Sequence, residues 1–485
     1  MANPIRKLLG QTAIYGLSSI VGRLLNYLLV PLYTYVFADP SDYGVVSELY
    51  AWVAFLVVFL TFGMETTFFR FLQDHEDKEK VFRNGFLTVI GINAIFFLTL
   101  IYFNEDIAEL LLYPGHNEYI ILLAAIVCID AVTALPLAKL RAEEKALQFA
   151  GIQFASIGVN IGLNLLLMLY AFDPSRPEEG VLFILFSNLF ASLVKPMLLY
   201  KYFMNIEFSF DWQMAKRMLW YAAPLVIAGF AGIINETIDR ILLKHLLYDG
   251  STPESLSYAE AQVGIYSACY KLAMLVTILL QAYRYAAEPF FFAQLKNEDR
   301  NKVYAKIMNI FIAMVSLVFL LVSLNIDIFK HFIRNEAYWD GLAVVPILLL
   351  ANVFLGIYYN QSIWYKLSGQ TRFGAYISIG GATLTLLINL IFIPTAGYMA
   401  SAWATLIVYA AQMVASYYLG QKYYPIKYNS RKFTLYLGVA LVFYLITYAM
   451  GLENPTVRFM IHNFLILVYV GMIYTMEKKN LGFAK

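Results

Sequence analysis

The sequence contains little charge and almost no cysteine. Only 14% of its 485 residues are Asp, Glu, Lys or Arg, against about a quarter in soluble domains. The two cysteines, Cys128 and Cys269, both lie in apolar stretches, so they indicate neither a disulfide framework nor a metal site. The five histidines show no ligand-like spacing. We therefore expect no metal and no other cofactor.

Signatures of nucleotide and nucleic-acid chemistry are also missing from the sequence. The chain has no Gly-Lys-Ser/Thr phosphate-binding loop, which excludes a built-in ATPase of that type. Its formal net charge of +2 comes without a basic run, so no nucleic-acid partner is expected.

Apolar residues dominate what is present. They make up 60% of the chain, and the mean hydropathy is +0.64. A soluble protein of this length cannot bury so much apolar surface, whereas a lipid bilayer accommodates it, and helices are the usual way to cross one. The composition therefore predicts an all-α polytopic membrane protein.

Stretches long enough to cross a bilayer as a helix recur along the whole chain, and we count about fourteen of them at roughly 20 residues each. The first is too long for a signal-peptide core and is expected to be retained. Numbered span 1 to span 14, they are 10–37, 43–72, 81–103, 118–138, 147–172, 180–203, 216–246, 262–295, 301–326, 342–367, 372–394, 397–420, 431–450 and 457–476.

Basic residues orient these spans, because cytoplasmic loops carry an excess of Lys and Arg. Counting the N-terminus and every second loop as one side places most of the basic loop residues on that side. The opposite side holds only Arg176, Lys244, Lys330, Arg334 and Arg458. Both termini are therefore predicted to be cytoplasmic.

An internal repeat is visible as short matches in a shared order. The matches are Gly44, Ser47 and Tyr50 with Gly264, Ser267 and Tyr270, then Lys80-Val81-Phe82 with Lys302-Val303-Tyr304, and Asn164-Leu165 with Asn389-Leu390. They predict two six-helix bundles, 1–204 and 205–424, related by a pseudo-two-fold axis along the membrane normal with the cavity between them. Residues 425–485 add spans 13 and 14 and a cytoplasmic tail.

Several basic residues lie inside the spans, where a charge costs roughly 2.5–3.5 kcal/mol on insertion scales. They are Arg23, Arg70, Lys195, Arg240, Lys271 and Arg284. Arg70 and Lys195 are near enough to the predicted cytoplasmic end to snorkel. Arg240 has Glu236 one turn before it and Arg284 has Glu288 one turn after it, so each has a partner for a structural ion pair.

Arg23 and Lys271 have no such partner in the sequence. Arg23 is at the middle of span 1, and Lys271 has no acid three or four residues away. Because an unpaired cation facing lipid is unstable, both are expected to face a wet cavity. An anion is the expected passenger, and a diphosphate fits because Arg and Lys bind phosphate oxygens by charge-assisted hydrogen bonds. The predicted substrate-binding residues are Arg23, Asn26, Arg240, Ser267, Lys271 and Arg284.

Acidic residues in or near the spans are candidates for coupling transport to an H+ or Na+ gradient, with the membrane potential as another energy source. They are Glu48, Glu65, Asp130, Glu236, Asp239 and Glu288. Asp130, inside span 4, has the least local explanation. It either binds a proton or sodium, or is a buried acid held by a salt bridge or hydrogen bonds.

Several short motifs follow one another in a fixed order along the chain. They are Gly22-Arg23, Asp42-Tyr43-Gly44, Leu140-Arg141-Ala142-Glu143-Glu144, Tyr221-Ala222-Ala223-Pro224-Leu225, Asp239-Arg240 and Val263-Gly264-Ile265-Tyr266-Ser267. Their order and spacing resemble the polysaccharide-biosynthesis (Wzx-like) flippases of the multidrug/oligosaccharidyl-lipid/polysaccharide (MOP) exporter superfamily.

The resemblance implies two bundles forming a V, with a cavity between spans 1, 2, 7 and 8. It implies a flippase, not an enzyme, that moves an undecaprenyl-diphosphate-linked oligosaccharide to the outer leaflet of the bacterial inner membrane by alternating access. The passenger would be an O-antigen (lipopolysaccharide) or capsular repeat unit. Besides this lipid-linked oligosaccharide and the membrane lipids, the implied partners are the polysaccharide polymerase and assembly machinery, and the protein is expected to be a monomer.

Three other functions stay open. An ion-coupled multidrug antiporter of the same superfamily would meet a cationic drug with acids and aromatic rings, whereas the loneliest charges here are Arg23 and Lys271. A lipid II flippase is the second, although span 2 offers Glu48 and Glu65 and no cation near its centre. A membrane-embedded polysaccharide polymerase or ligase would need a large outer loop, and the outer connections are too short for one.

Overall fold

The computed structural model describes Gly16 and residues 20–204, 209–293 and 298–478. Seven side chains near the end of span 8 are outside this description, namely those of Ala282, Tyr285, Ala286, Glu288, Pro289, Phe292 and Ala293. Throughout the described ranges the regular elements are helices, and these ranges contain no β-strand.

The helices follow the predicted spans closely. They are Ile20–Val36 (span 1), Pro40–Thr61 and Met64–Asp74 (span 2), Lys78–Tyr102 (span 3), Asn117–Ala142 (span 4), Ala146–Tyr170 (span 5), Pro177–Leu198 (span 6), Trp212–Leu247 (span 7), Pro253–Ala293 (span 8), Arg300–Leu324 (span 9), Val344–Gln361 and Ile363–Leu367 (span 10), Arg372–Ala396 (span 11), Tyr398–Tyr423 (span 12), Ser430–Met450 (span 13) and Pro455–Glu477 (span 14). Short helices in the connections are Asn104–Leu110, Tyr200–Met204, Ile326–Phe329, Lys330–Phe332 and Glu336–Ala343.

Length and composition agree with a membrane protein. In the described ranges, 13 helices are long and apolar enough to cross a membrane, and Ile20–Val36 is a shorter apolar helix. The predicted all-α polytopic architecture is confirmed.

Acidic N-caps fix where several spans begin. Asp39 accepts a hydrogen bond from the backbone N–H of Ser41 at 2.8 Å, and Pro40 follows in the first turn of span 2. Asp77 and Asp211 cap spans 3 and 7 in the same manner. Such caps satisfy backbone donors that have no partner within the helix.

Span 2 is interrupted, whereas the sequence predicts one continuous span over 43–72. Phe62 and Gly63 both have positive φ, 47° and 61°, which ends one helix and starts the next. The break deprives carbonyl groups of helical partners, and the side chain of Asn93 on span 3 donates to one of them, the carbonyl of Leu60, at 3.2 Å.

The chain divides into two compact units, residues 1–264 and 265–485. The first contains spans 1 to 7 and the first turns of span 8, and the second contains the remainder. The predicted bundles 1–204 and 205–424 describe a different division, by repeat, and stay a prediction.

Buried asparagines play matching roles inside the two units. In the first unit, Asn164 accepts from the hydroxyl of Tyr33 at 2.9 Å and donates to the carbonyl four residues earlier at 2.8 Å. In the second, Asn389 accepts from the hydroxyl of Ser401 at 2.8 Å and also donates to the carbonyl four residues earlier at 2.8 Å. These positions match in the predicted repeat, and both side chains link helices where no water competes.

Candidate functional site

Spans 2 and 8 cross at two glycines. A Cβ atom added to Gly44 would lie 1.9 Å from the carbonyl oxygen of Glu260, and one added to Gly264 would lie 1.9 Å from the carbonyl oxygen of Pro40. Any larger residue at either position forces the backbones apart. Each glycine meets the residue four positions before the other, so the crossing has the local two-fold symmetry that the predicted repeat requires.

Lys244 of span 7 is fully buried beside this crossing. Its Nζ lies 3.0 Å from Oε2 of Glu48 on span 2 and 3.1 Å from Oε1 of Glu260 on span 8. It also donates to the carbonyl of Leu111 at 3.1 Å and lies 3.3 Å from the centre of the Tyr113 ring. One ammonium therefore joins three spans and the connection between spans 3 and 4 at the predicted outer end. We call Glu48, Lys244 and Glu260 the charged triad.

Glu48 has further partners around its carboxylate. The hydroxyl of Tyr113 donates to Oε2, and the indole N–H of Trp52 donates to Oε1 at 3.1 Å. Burial, and next the neighbouring charge of Glu48, raise the pKa of Tyr113 well above its usual range, so this hydroxyl keeps its proton and remains a donor. The ring of His245 is farther away, with Nδ1 4.0 Å from Oε1.

One turn along the same face of span 7 lies a second buried ion pair. The guanidinium of Arg240 contacts the carboxylate of Asp239 at 2.8 Å and the main-chain oxygen of Glu236 at 2.9 Å. The expected pairing of Arg240 with the Glu236 carboxylate is thus replaced by a pairing with Asp239, since the adjacent side chain reaches the guanidinium more directly. The side chain of Glu236 is exposed.

Arg23 and Asn26 are both exposed on span 1. Among the described residues, no carboxylate lies within ion-pair distance of the Arg23 guanidinium. The role of Arg23 in substrate binding stays a prediction.

In the second unit, Lys271 is half-buried and Ser267 is buried on span 8. The hydroxyl of Ser267 has no hydrogen-bond partner within the described part of the chain. The guanidinium of Arg284 lies 4.3 Å from the centre of the Tyr359 ring, a cation–π contact. The side chain of Glu288, its expected partner, falls outside the described residues.

Two predicted ion-coupling residues form simple pairs. Asp130 of span 4 contacts Lys195 of span 6 at 2.8 Å, which is the salt-bridged alternative for Asp130. Lys195 therefore pairs within the unit, and the expectation that it snorkels is wrong. Glu65 contacts Arg141 at 2.6 Å at the predicted cytoplasmic end, where both side chains are partly exposed.

Comparison with known proteins assigns the chain to a family. A family model described as "Polysaccharide biosynthesis protein" matches residues 8–295, more than half of the chain. The chain belongs to this family. An uncharacterized membrane protein of Haemophilus influenzae is 22% identical over 410 residues, covering 81% of this chain and 94% of the relative. The Lsg locus putative protein 1 of the same organism is 25% identical over 158 residues, covering 32% of this chain and 36% of the relative.

Solved structures share the fold of this polysaccharide biosynthesis protein. The lipid II flippase MurJ in an inward closed conformation has a TM-score of 0.70 at 13% identity, over 95% of this chain and 98% of that chain. An inward-facing multidrug resistance MATE transporter of the MOP superfamily has a TM-score of 0.63 at 14% identity, over 84% of this chain and 94% of that one. The resemblance noted in the sequence motifs is confirmed at the level of family and fold.

Sequence reasoning missed Lys244 and Glu260, two of the three residues of the charged triad. Lys244 is three residues from the end of span 7 and is predicted to be a residue of the outer span edge, yet it is buried. Glu260 lies outside the predicted span 8, which begins at 262, so the sequence does not mark it as an acid within a span. The spacing of four between Arg240 and Lys244 is the signal that was available, since it puts both cations on one face of the helix.

Proposed function

We propose that the protein is a flippase for a lipid-diphosphate-linked oligosaccharide. It moves this passenger from the cytoplasmic to the outer leaflet of the bacterial inner membrane, and an O-antigen or capsular repeat unit is the passenger. Membership of the polysaccharide biosynthesis family, and a fold shared with a lipid II flippase and with MATE transporters, support this function.

Arg23 is the observation that carries the proposal. Its guanidinium is exposed on an apolar helix and has no carboxylate within ion-pair distance among the described residues. A permanent charge facing hydrocarbon is costly, whereas a guanidinium facing water and a diphosphate gains charge-assisted hydrogen bonds. Asn26, one turn further on span 1, is exposed as well and adds a neutral hydrogen-bonding group. Lys271, Arg240 and Arg284 are the other cations proposed for the passenger.

Alternating access requires one end of the pathway to be closed while the other is open. The Gly44–Gly264 crossing and the charged triad support a closed state at the predicted outer end, because backbones in direct contact leave no room for a sugar between spans 2 and 8. In this state a passenger enters from the predicted cytoplasmic side.

The test is export in a bacterial strain that lacks the gene and carries plasmid-borne variants. Arg23→Ala is expected to lower surface polysaccharide at least about tenfold, the scale of one lost charge-assisted hydrogen bond, while lipid-linked repeat units accumulate and the protein level stays unchanged. Arg23→Lys should retain part of the activity because it keeps the charge.

Arg176→Ala is the matched control, since Arg176 is exposed in a connection and forms a surface ion pair with Glu179 at 3.1 Å. It should export normally. Normal export by both Arg23→Ala and Lys271→Ala would show that cations do not bind the passenger.

The similarity to MurJ over most of the chain favours a lipid II flippase as the second candidate. Depletion of the host's lipid II flippase separates the two. Rescue of growth by this protein would support lipid II as the passenger, whereas restored surface polysaccharide without rescue supports the oligosaccharide.

A further inference from the structure

The charged triad contains one positive and two negative groups. Lys244 is completely buried, the side chain of Glu48 is 1% exposed and that of Glu260 is 14% exposed. With all three ionised, the cluster carries an uncompensated negative charge in a site with little water. One ammonium serves both carboxylates only while the three groups stay together, so separating the two acids leaves one of them without a counter-ion.

Lys244 and Glu260 belong to one helical hairpin. Spans 7 and 8 are joined by the short connection 248–252, which is held by its own side chains. Asp249 accepts from the backbone N–H of Ser251 at 2.9 Å and from its hydroxyl at 2.6 Å, and the hydroxyl of Ser255 accepts from the backbone N–H of Asp249 at 3.1 Å. Any movement of this hairpin therefore carries Lys244 and Glu260 together.

Glu48 belongs to a separate piece. It lies on the segment Pro40–Thr61, which the break at Phe62–Gly63 separates from the rest of span 2. When this segment moves away from the hairpin, Trp52 moves with Glu48 because it is on the same helix. Lys244 stays with Glu260, so Glu48 loses its counter-ion.

We propose that Glu48 is the proton-binding residue of this transporter, and that Lys244 and a proton replace one another on its carboxylate. With the outer end closed, Lys244 bridges Glu48 and Glu260. When the outer end opens, Lys244 remains paired with Glu260 and one proton from the outer side binds a Glu48 oxygen. Each state thus avoids a bare carboxylate in an apolar site.

Several titratable groups face Glu48. Lys244 and His245 approach it from span 7, Tyr113 from the connection between spans 3 and 4, and Glu260 from span 8 through the shared ammonium. His245 also contacts the carbonyl of Ile241 at 3.0 Å. Because the opened state binds one more proton than the closed state, outer acidity favours opening by up to about tenfold per pH unit.

The inference rests on the alternating access of the proposed function and is independent of its passenger. Its test uses a cysteine-free background in which Cys128 and Cys269 are replaced by Ala. Val263→Cys places a thiol at a buried position next to Gly264, and Ser251→Cys places one at an exposed position in the same hairpin. Labelling of right-side-out membrane vesicles with a membrane-impermeant maleimide, at outer pH 8 to 5, measures how often the crossing opens.

The ratio of labelling at position 263 to that at position 251 removes most of the effect of pH on thiol reactivity. This ratio is expected to rise as the pH falls. Glu48→Gln should give a high ratio at every pH, because its neutral amide needs no counter-ion. Glu260→Gln should give a low ratio at every pH, because opening would then leave Lys244 without an acid.

Opposite effects of two isosteric changes around one lysine distinguish partner exchange from a structural ion pair. Asp130→Asn and His245→Gln are controls and should keep the parent slope. The inference is overturned by a flat parent ratio, by equal shifts in Glu48→Gln and Glu260→Gln, or by loss of the slope in His245→Gln, which would make His245 the proton site. Export is measured separately, so a pH-dependent ratio without polysaccharide export would contradict the passenger only.

Discussion

Two lysines of the first unit, Lys244 and Lys195, lie within membrane-spanning helices and make ion pairs of similar length. Lys195 contacts Asp130 at 2.8 Å, and Lys244 contacts its two acids at 3.0 and 3.1 Å. They differ in burial and in balance, because Lys195 is 17% exposed with one acid, whereas Lys244 is fully buried with two. The lengths of these contacts therefore do not distinguish the two sites, whereas their burial and their ratio of acids to lysines do.

The largest expected effect comes from removing the two lysines in turn. Lys244→Met leaves two buried carboxylates without a counter-ion and should lower the free energy of unfolding by about 3–5 kcal/mol. Lys195→Met should cost clearly less, because the carboxylate of Asp130 is 29% exposed and keeps some hydration. Denaturant unfolding of the purified proteins in detergent measures both values. Equal losses would mean that the two sites do not differ in desolvation.

Replacing a lysine together with one of its acids should change the free energy of unfolding by an intermediate amount and should separate the two sites more clearly. Lys195→Met combined with Asp130→Leu removes both charges of a balanced pair and should restore most of the stability lost by the lysine change alone. Lys244→Met combined with Glu48→Leu leaves Glu260 unpaired, so recovery should be incomplete. A double-mutant cycle for each site measures the recovery. Full recovery at Lys244 would show that Glu260 carries no charge in the folded protein.

The smallest effect is expected at an exposed pair at the predicted cytoplasmic end. Lys80 contacts Asp211 at 2.8 Å, and this hydrogen bond, followed by that from the backbone N–H of Met214, lowers the pKa of the Asp211 carboxyl. A lowered folded-state pKa adds stability above the ordinary value of about 4, and this stability is lost as the pH falls through the lowered value.

Asp211→Asn should therefore flatten the acid side of the melting-temperature profile slightly, with little change elsewhere. The comparison is made between about pH 5 and pH 2, because the lowered pKa of Asp211 makes its contribution fall as the pH drops below the ordinary value. Lys80→Met serves as the partner control and should flatten the same window in part. A shift near pH 7 would point to a different group.

Hydropathy was sufficient to predict the spans because membrane insertion depends on long apolar runs. Spans 9, 11, 13 and 14 begin within about two residues of the predicted positions, at Arg300, Arg372, Ser430 and Pro455. The interruption of span 2 was not predictable in this manner. Phe62 is apolar and Gly63 is small, so the hydropathy of span 2 does not mark the two positions at which φ is positive.

Charge pairing was the harder part, because it depends on contacts between distant segments. Asp130 and Lys195 are 65 positions apart, and Tyr113 reaches Glu48 across the same separation. Lys244 was misplaced for a physical reason. Counting positive charges at span ends assumes that a terminal lysine is solvated, whereas Lys244 is fully buried and contacts two acids.

The interruption at Phe62–Gly63 divides span 2 into two helical segments instead of one continuous helix. Turning about a few backbone bonds re-aims the segment that bears Glu48 while the segment Met64–Asp74 keeps its contact between Glu65 and Arg141. A shift at one membrane face therefore need not be transmitted to the other face. With such a break, the outer end of span 2 is able to separate from its neighbours while the Glu65–Arg141 ion pair at the cytoplasmic end stays formed.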